Sequence, residues 1–305
     1  MTSIRGWSTR RKAIVGFLIV WLGPTIALGL AFGVHSIKNN SYLPQDEFQL
    51  LNWAHLFGPI NFNKGVLYLL LAGAITIGLM VWVAKRMQMR PNRVQTAVEL
   101  AYGICRRQIT SDNMDEDMAR KWFPLVATLF FFILVSNLLG YLPLPVNTNP
   151  LEEVHVFGAT LPSFQLFAAT TNISFPLVLA LIVYIAFNAE GVRAHGPFGY
   201  VKSLIPAGVG GAMLVLIFPI EILSNILRLL SLTIRLWANL LAGHMLIGFM
   251  SGGLAVLLGV KYLAWFLLPF GIAIYLFEAV LIAGLQAFIF AILAAIYLGS
   301  AVSEH

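Results

Sequence analysis

The stretch Leu230-Ser-Leu-Thr-Ile-Arg-Leu-Trp-Ala-Asn-Leu-Leu-Ala-Gly-His244, inside the longer apolar run from Glu221 to Met250, decides the fold. It is hydrophobic enough to lie in lipid. It nevertheless carries Arg235, Asn239 and His244, with Glu221 and Arg228 ahead of them. A guanidinium at bilayer depth costs about 2.5 to 3.5 kcal/mol even on insertion scales, and its pKa is too high for it to shed the proton. The chain therefore reads as membrane-embedded, and some group must offset the charge of Arg235.

Composition agrees with that reading. The 305 residues are 59% hydrophobic and 10% charged, against about 25% charged in soluble domains. Several apolar runs exceed the ~18 residues that suggest a spanning helix, and the alternating pattern of a barrel strand is absent. The fold class is an all-α polytopic membrane protein. Cys105 is the single cysteine, which excludes an internal disulfide and a cysteine-based zinc site and leaves a small buried residue. The net charge of +6 is concentrated in loops, so topology explains it better than a nucleic-acid partner. No cofactor or metal is called for.

Six spans satisfy the pattern. A basic segment with Arg5, Arg10, Arg11 and Lys12 precedes an apolar run from Ala13 to Val34, read as a retained anchor helix with a cleaved signal as the alternative. Residues 1–40 thus form an extra N-terminal segment ahead of the membrane domain 41–305. Residues 35–63 read as an interfacial loop. Gly65 to Ala84 is the second span, and Val94 to Ile109 is a helix along the membrane surface. Ser111 to Asp117 reads as an acidic turn, Trp122 to Leu142 as the third span and Leu166 to Phe187 as the fourth. Glu190, Arg193, His195 and Lys202 form a polar link, and two long stretches follow, 206–250 and 263–300. Placing the basic segments 1–12, 85–121 and 188–202 inside leaves the acidic 143–163 loop outside, with both termini inside. From Pro219 to Met250 a helix of roughly 31 residues would measure ~46 Å against a ~30 Å hydrocarbon core. The last two stretches are therefore expected to form an antiparallel hairpin of long, steeply tilted helices.

Glu221, Arg228 and Arg235 are spaced by seven, which drifts only about 20° per step, so they lie on one helix stripe, joined by Asn239. His244, nine residues after Arg235, falls about 180° round. The last stretch adds Glu278 and Gln286, which a regular helix sets about 80° apart. A carboxyl at such depth is either paired with a cation or protonated. On residues alone, an internal Arg235 to Glu278 ion pair and a proton relay both remain open, and Asn239 and Gln286 also suit helix-to-helix hydrogen bonding.

These residues resemble subunit a of F-type ATP synthases. The likeness rests on Ser231 to His244, similar to a family segment of the form SLxxRLxxNxxAGH, with Glu221 and Arg228 at the family's distances. It is supported by Leu285-Gln-Ala-Phe-Ile-Phe290, Tyr297-Leu298, Thr128 to Pro143 and Ala169-Thr-Thr-Asn-Ile-Ser174, in the family's order across roughly residues 60–300. The resemblance implies that Arg235 is the essential arginine facing carboxylates on a ring of c subunits. It implies that Asn239 and Gln286 are polar residues near it, that Glu221 and His244 line aqueous half-channels, and that Arg228 and Ser231 support the segment. Glu278 stands eight residues before Gln286, whereas the family's last-helix titratable group stands seven before. Implied partners are the c-ring, peripheral-stalk b subunits, the F1 sector indirectly and the lipid itself. The implied location is a bacterial plasma (inner) membrane, with the mitochondrial inner membrane as the alternative. The chain holds no phosphate-binding loop, H-E-x-x-H or nucleophile elbow, so it is expected to catalyse no covalent chemistry alone. The competing reading is a self-contained secondary transporter or cation/proton antiporter, which would usually show paired repeats and broken helices.

Overall fold

A computed structural model of the chain describes residues 15–16, 50, 52–57, 60–144, 154–156, 159–161, 166–203, 212–254 and 263–302. They belong to two compact units: a larger one of residues 50–241 and 279–305, and a smaller one of residues 1–49 and 242–278. Five helices among the described residues are long and apolar enough to cross a membrane. The protein is therefore an all-α polytopic membrane protein. The expected first span lies outside the described residues apart from 15 and 16.

In the larger unit, helix α1 (Lys64–Lys85) starts where the Asn63 side chain accepts a hydrogen bond from the Val66 amide at 3.1 Å, a standard cap on an otherwise unsatisfied donor. It ends at Lys85-Arg86, cations suited to the negative pole of the helix dipole. Helix α2 (Arg93–Ile104) is capped in the same way by Asn92 and runs into a π-helical turn, Cys105–Ser111. Two hydroxyls reach back five residues in register with that turn, Thr110 to the Cys105 carbonyl and Ser111 to the Arg106 carbonyl, each at 2.8 Å.

Helix α3 (Glu116–Gly140) begins six residues before the expected span at Trp122. The acidic turn is in part its first turn, because Glu116 and Asp117 are favourable at a helix N-terminus. Helix α4 (Ser174–Ser203) begins eight residues after the expected Leu166. Ahead of it Ala169–Thr171 forms a buried 3-10 turn, and the Asn172 side chain accepts from the Ser174 amide at 3.0 Å, which sets the start. The expected polar link belongs to this helix, which kinks at Gly196 (φ 72°, ψ 165°) before Pro197. Only glycine adopts such a φ freely.

Helix α5 (Ala212–Gly248) contains Pro219 instead of starting after it. Membrane helices tolerate an internal proline because neighbouring groups satisfy the freed carbonyl. Its 37 residues measure ~56 Å, so it must tilt or project beyond a ~30 Å core. A π-turn Phe249–Gly253, helix α6 (Leu263–Phe277), a π-turn Glu278–Ile282 and helix α7 (Ala283–Ser300) are the remaining elements among the described residues of this part of the chain.

Two short ribbons occupy regions expected to be loops. Strand β1 (Asn52–Phe57) pairs antiparallel with β2 (Ile60–Asn63), and β3 (Val154–Val156) with β4 (Ala159–Leu161). Such two-stranded pieces are marginal by themselves and leave the fold class unchanged.

The core of the larger unit is the seam of α3 and α7. Ala283, Ala287, Ala291, Ala294 and Ala295 of α7 are buried, as are Val126, Leu129, Phe130 and Ile133 of α3. Lipid tails are as apolar as leucine, so close backbone approach through small residues, not burial from water, holds such helices together. Gly140 follows the same logic, since a Cβ there would collide with Ala168.

Candidate functional site

Within the larger unit, Leu232, Leu236 and Leu240 of α5 recur every fourth residue and are buried, which fixes the inward face. Arg235 and Asn239 lie on the flank of that face and are exposed. Around them Leu223, Leu227, Leu230 and Ile234 are exposed as well, between 41% and 54%. Arg235 makes neither an ion pair nor a hydrogen bond among the described residues. A fixed cation, with Asn239 one turn away, thus stands on a largely aliphatic surface.

Arg228, two turns earlier on the same stripe, has its guanidinium carbon 5.4 Å from the centre of the Tyr297 ring on α7. A cation over an aromatic face gains roughly 0.5 to 2 kcal/mol, so this arginine is held inside the unit. The Ser231 hydroxyl donates to the Arg228 carbonyl at 3.0 Å and helps fix that turn. Glu221 is half-buried and forms no ion pair among the described residues. Gln286 is buried on α7.

Three polar groups that the sequence reading did not single out meet beside Arg228's turn. The Tyr200 hydroxyl and the Asn225 amide both donate to Asn188 Oδ1, at 2.8 and 3.2 Å, and Asn188 donates to the Tyr184 carbonyl at 2.7 Å. Gly191 makes room for the Tyr200 ring, which a Cβ would strike. Asn225 Oδ1 is buried without a hydrogen-bond partner among the described residues. A second group joins α3 to α7: Asn137 is fully buried, donates to the Ala283 carbonyl at 3.3 Å and accepts from the Thr170 hydroxyl at 3.1 Å. The Ser136 and Tyr68 hydroxyls in the unit's interior are buried without hydrogen-bond partners among the described residues. Amides within apolar helices were the available signal for both groups. A third connection, the ion pair of Lys121 with the buried Glu190, has Arg193 Nη1 3.7 Å from the other carboxylate oxygen.

In the smaller unit, His244 is buried at the end of α5. The Glu278 carboxylate lies so close to Gly243 that a Cβ there would overlap it. Seven residues further along from Gly243, Met250 packs its backbone against Gly271, seven residues before Glu278. The two contacts run in opposite directions along the two segments, so here they form an antiparallel pair. Gly243 is the residue that lets a carboxylate reach the backbone beside His244, and its role was invisible in the sequence.

The family described as ATP synthase A chain matches residues 66–299. ATP synthase subunit a of Nocardioides sp. is 33% identical over 270 residues, covering 85% of this chain and 88% of that protein. ATP synthase subunit a of Acidiphilium cryptum is 33% identical over 264 residues, covering 85% and 96%. That of Rubrobacter xylanophilus is 34% identical over 241 residues, covering 78% and 83%.

Proposed function

Since the chain belongs to the ATP synthase A chain family and is a multi-pass membrane protein, we propose that it is the static half of a rotary proton path, past which a ring of c subunits turns. The observation that carries this reading is Arg235, an exposed cation among aliphatic side chains with no partner among the described residues. Such a charge in hydrocarbon calls for an anion from another chain.

A ring carboxylate arriving beside Arg235 would lose its proton, because a cation within ~4 to 6 Å favours the ionised form. Asn239, on the same exposed flank, is a second polar contact for it. The carboxylate would then take a proton from the other half-channel and leave neutral into lipid. Arg235 also opposes direct passage of a proton between the two half-channels. Membrane potential supplies ~2.3 kcal/mol per charge per 100 mV to drive the turn.

Glu221, with Arg228 and the Asn188, Tyr200 and Asn225 group beside it, belongs to one aqueous half-channel in this reading. His244 and Glu278 belong to the other, with Gln286 near the arginine. Buried hydroxyls without partners among the described residues, such as Tyr68 and Ser136, are the kind of group that internal water satisfies. The chain itself performs no covalent chemistry. Its neighbours are the c-ring, the b subunits of the peripheral stalk and, through them, F1, in a bacterial plasma membrane with the basic loops inside.

The test is Arg235→Ala in the assembled enzyme, reconstituted in vesicles. Both proton-driven ATP synthesis and ATP-driven acidification are expected to fall to background. Retained proton-driven synthesis refutes the role.

A further inference from the structure

We propose that the cleft between the π-turn after α2 and the first turns of α3 holds the phosphodiester of an anionic membrane lipid. This cavity of about 440 Å³ is lined by Arg106, Thr110, Ser111, Glu116, Arg120 and Phe123, among others. Arg106 lines it from the π-turn and Arg120 from α3, and neither guanidinium forms an ion pair or hydrogen bond among the described residues. Lys121, one residue away from Arg120, is by contrast committed to Glu190. Two guanidiniums not ion-paired among the described residues, lining one cleft, match a phosphate, which arginine binds through two parallel hydrogen bonds.

The backbone that carries Arg106 is fixed. Thr110 and Ser111 spend their hydroxyl protons on the carbonyls of Cys105 and Arg106, and Asn113 donates to those of Gln108 and Ile109. The π-turn is thus held by side chains before any ligand arrives. The apolar wall is Phe123, edge-to-face with Tyr102 at 5.1 Å between ring centres. Nearby on the chain, Met89, Val94 and Leu100 are exposed on and ahead of α2, which suits a helix seated in the headgroup layer. Basic pockets beside spanning helices on the positively charged side are where anionic headgroups bind.

Glu116 sharpens the ligand class. Its carboxylate shares the lining and penalises a second negative charge, so the cleft favours the single charge of a phosphodiester over the divalent form of free phosphate.

The experiment uses the assembled complex, stripped of loosely bound lipid in detergent and read by native mass spectrometry after titration with phosphatidylglycerol, phosphatidylcholine or inorganic phosphate. Tightly retained phosphatidylglycerol is expected, with Arg106→Gln/Arg120→Gln weakening it about tenfold or more, since a charged hydrogen bond contributes ~1.5 to 3 kcal/mol. Arg107→Gln, outside the cleft lining, should leave it unchanged, and millimolar inorganic phosphate should not displace it. Undiminished retention in the double variant, an equal loss in Arg107→Gln, displacement by inorganic phosphate, or cross-linking of the cleft to an acidic segment of another subunit overturns the proposal. If the double variant fails to assemble, Arg120→Gln alone is read by the same criteria.

Discussion

The seam of α3 and α7 and the outer flank of α5 lie in the same unit and treat polar groups in opposite ways. In the seam, Asn137 is fully buried and both ends of its amide are engaged, by Ala283 and by Thr170. On the flank, Arg235 and Asn239 stand exposed among leucines and isoleucines, the arginine without a partner among the described residues. The seam follows the rule for a stable interior, where a buried polar group is hydrogen-bonded or costs its desolvation. The flank breaks that rule at the group that is most costly in lipid. On the proposed reading, stability resides in the first region and function in the second, and substitutions can separate the two.

The largest separation is expected at Arg235. Arg235→Ala should abolish coupled transport while leaving the detergent-solubilised complex as heat-stable as the parent, because no ion pair or hydrogen bond of the guanidinium among the described residues is lost; surface changes of this sort stay within about ±0.5 kcal/mol. A large drop in thermal stability, read by differential scanning fluorimetry, would mean that the arginine is a structural tie.

The seam should behave the other way round. Ala291→Leu puts extra carbon where α3 and α7 approach closely, and overpacking costs roughly 1 to 3 kcal/mol. Reduced assembly and a lower midpoint are expected, with near-normal turnover per assembled complex. Asn137→Leu should cost about 1 to 3 kcal/mol by leaving the buried Thr170 hydroxyl without its acceptor. Loss of turnover without loss of stability in either variant would erase the contrast.

How much of this was readable beforehand depends on the range of the interaction. The span Gly65 to Ala84 was legible to within a residue of Lys64–Lys85, because run length and a Lys85-Arg86 stop are local. The stripe of Glu221, Arg228 and Arg235 was legible because seven-residue spacing is local too. Which of the two arginines had an internal partner was not, since Tyr297 is far away in the chain. The starts of α3 and α4 were missed because first-turn carboxylates and the Asn172 cap act on ends that hydropathy does not register. The Asn188, Tyr200 and Asn225 group and the fit of Gly243 to Glu278 depend on helices meeting.

Gly243→Ala comes next in size. It adds one methyl where the Glu278 carboxylate now sits, so the carboxylate must move and turnover should fall several-fold with assembly intact. Unchanged turnover and pH profile would remove Glu278 from the path.

The smallest effect is expected at Cys105, which resembles the seam without belonging to a spanning helix. The thiol is fully buried, and burial pushes its pKa from the ordinary 9.0 up to about 12. The thiolate is the reactive form, so at pH 8 the native protein should label with iodoacetamide only negligibly, and fully once unfolded in dodecyl sulfate. The stability consequence has a definite sign. Below pH 9 the thiol is neutral in both states, and its burial carries no ionisation penalty. Between about 9 and 12 the unfolded chain ionises while the folded one does not, so stability is lost as pH rises through that window. Cys105→Ala should remove that contribution to the alkaline loss and leave transport near pH 7 untouched. Rapid native labelling at pH 8 would instead show that the turn around Cys105 opens, and would set this region apart from the closed seam it resembles.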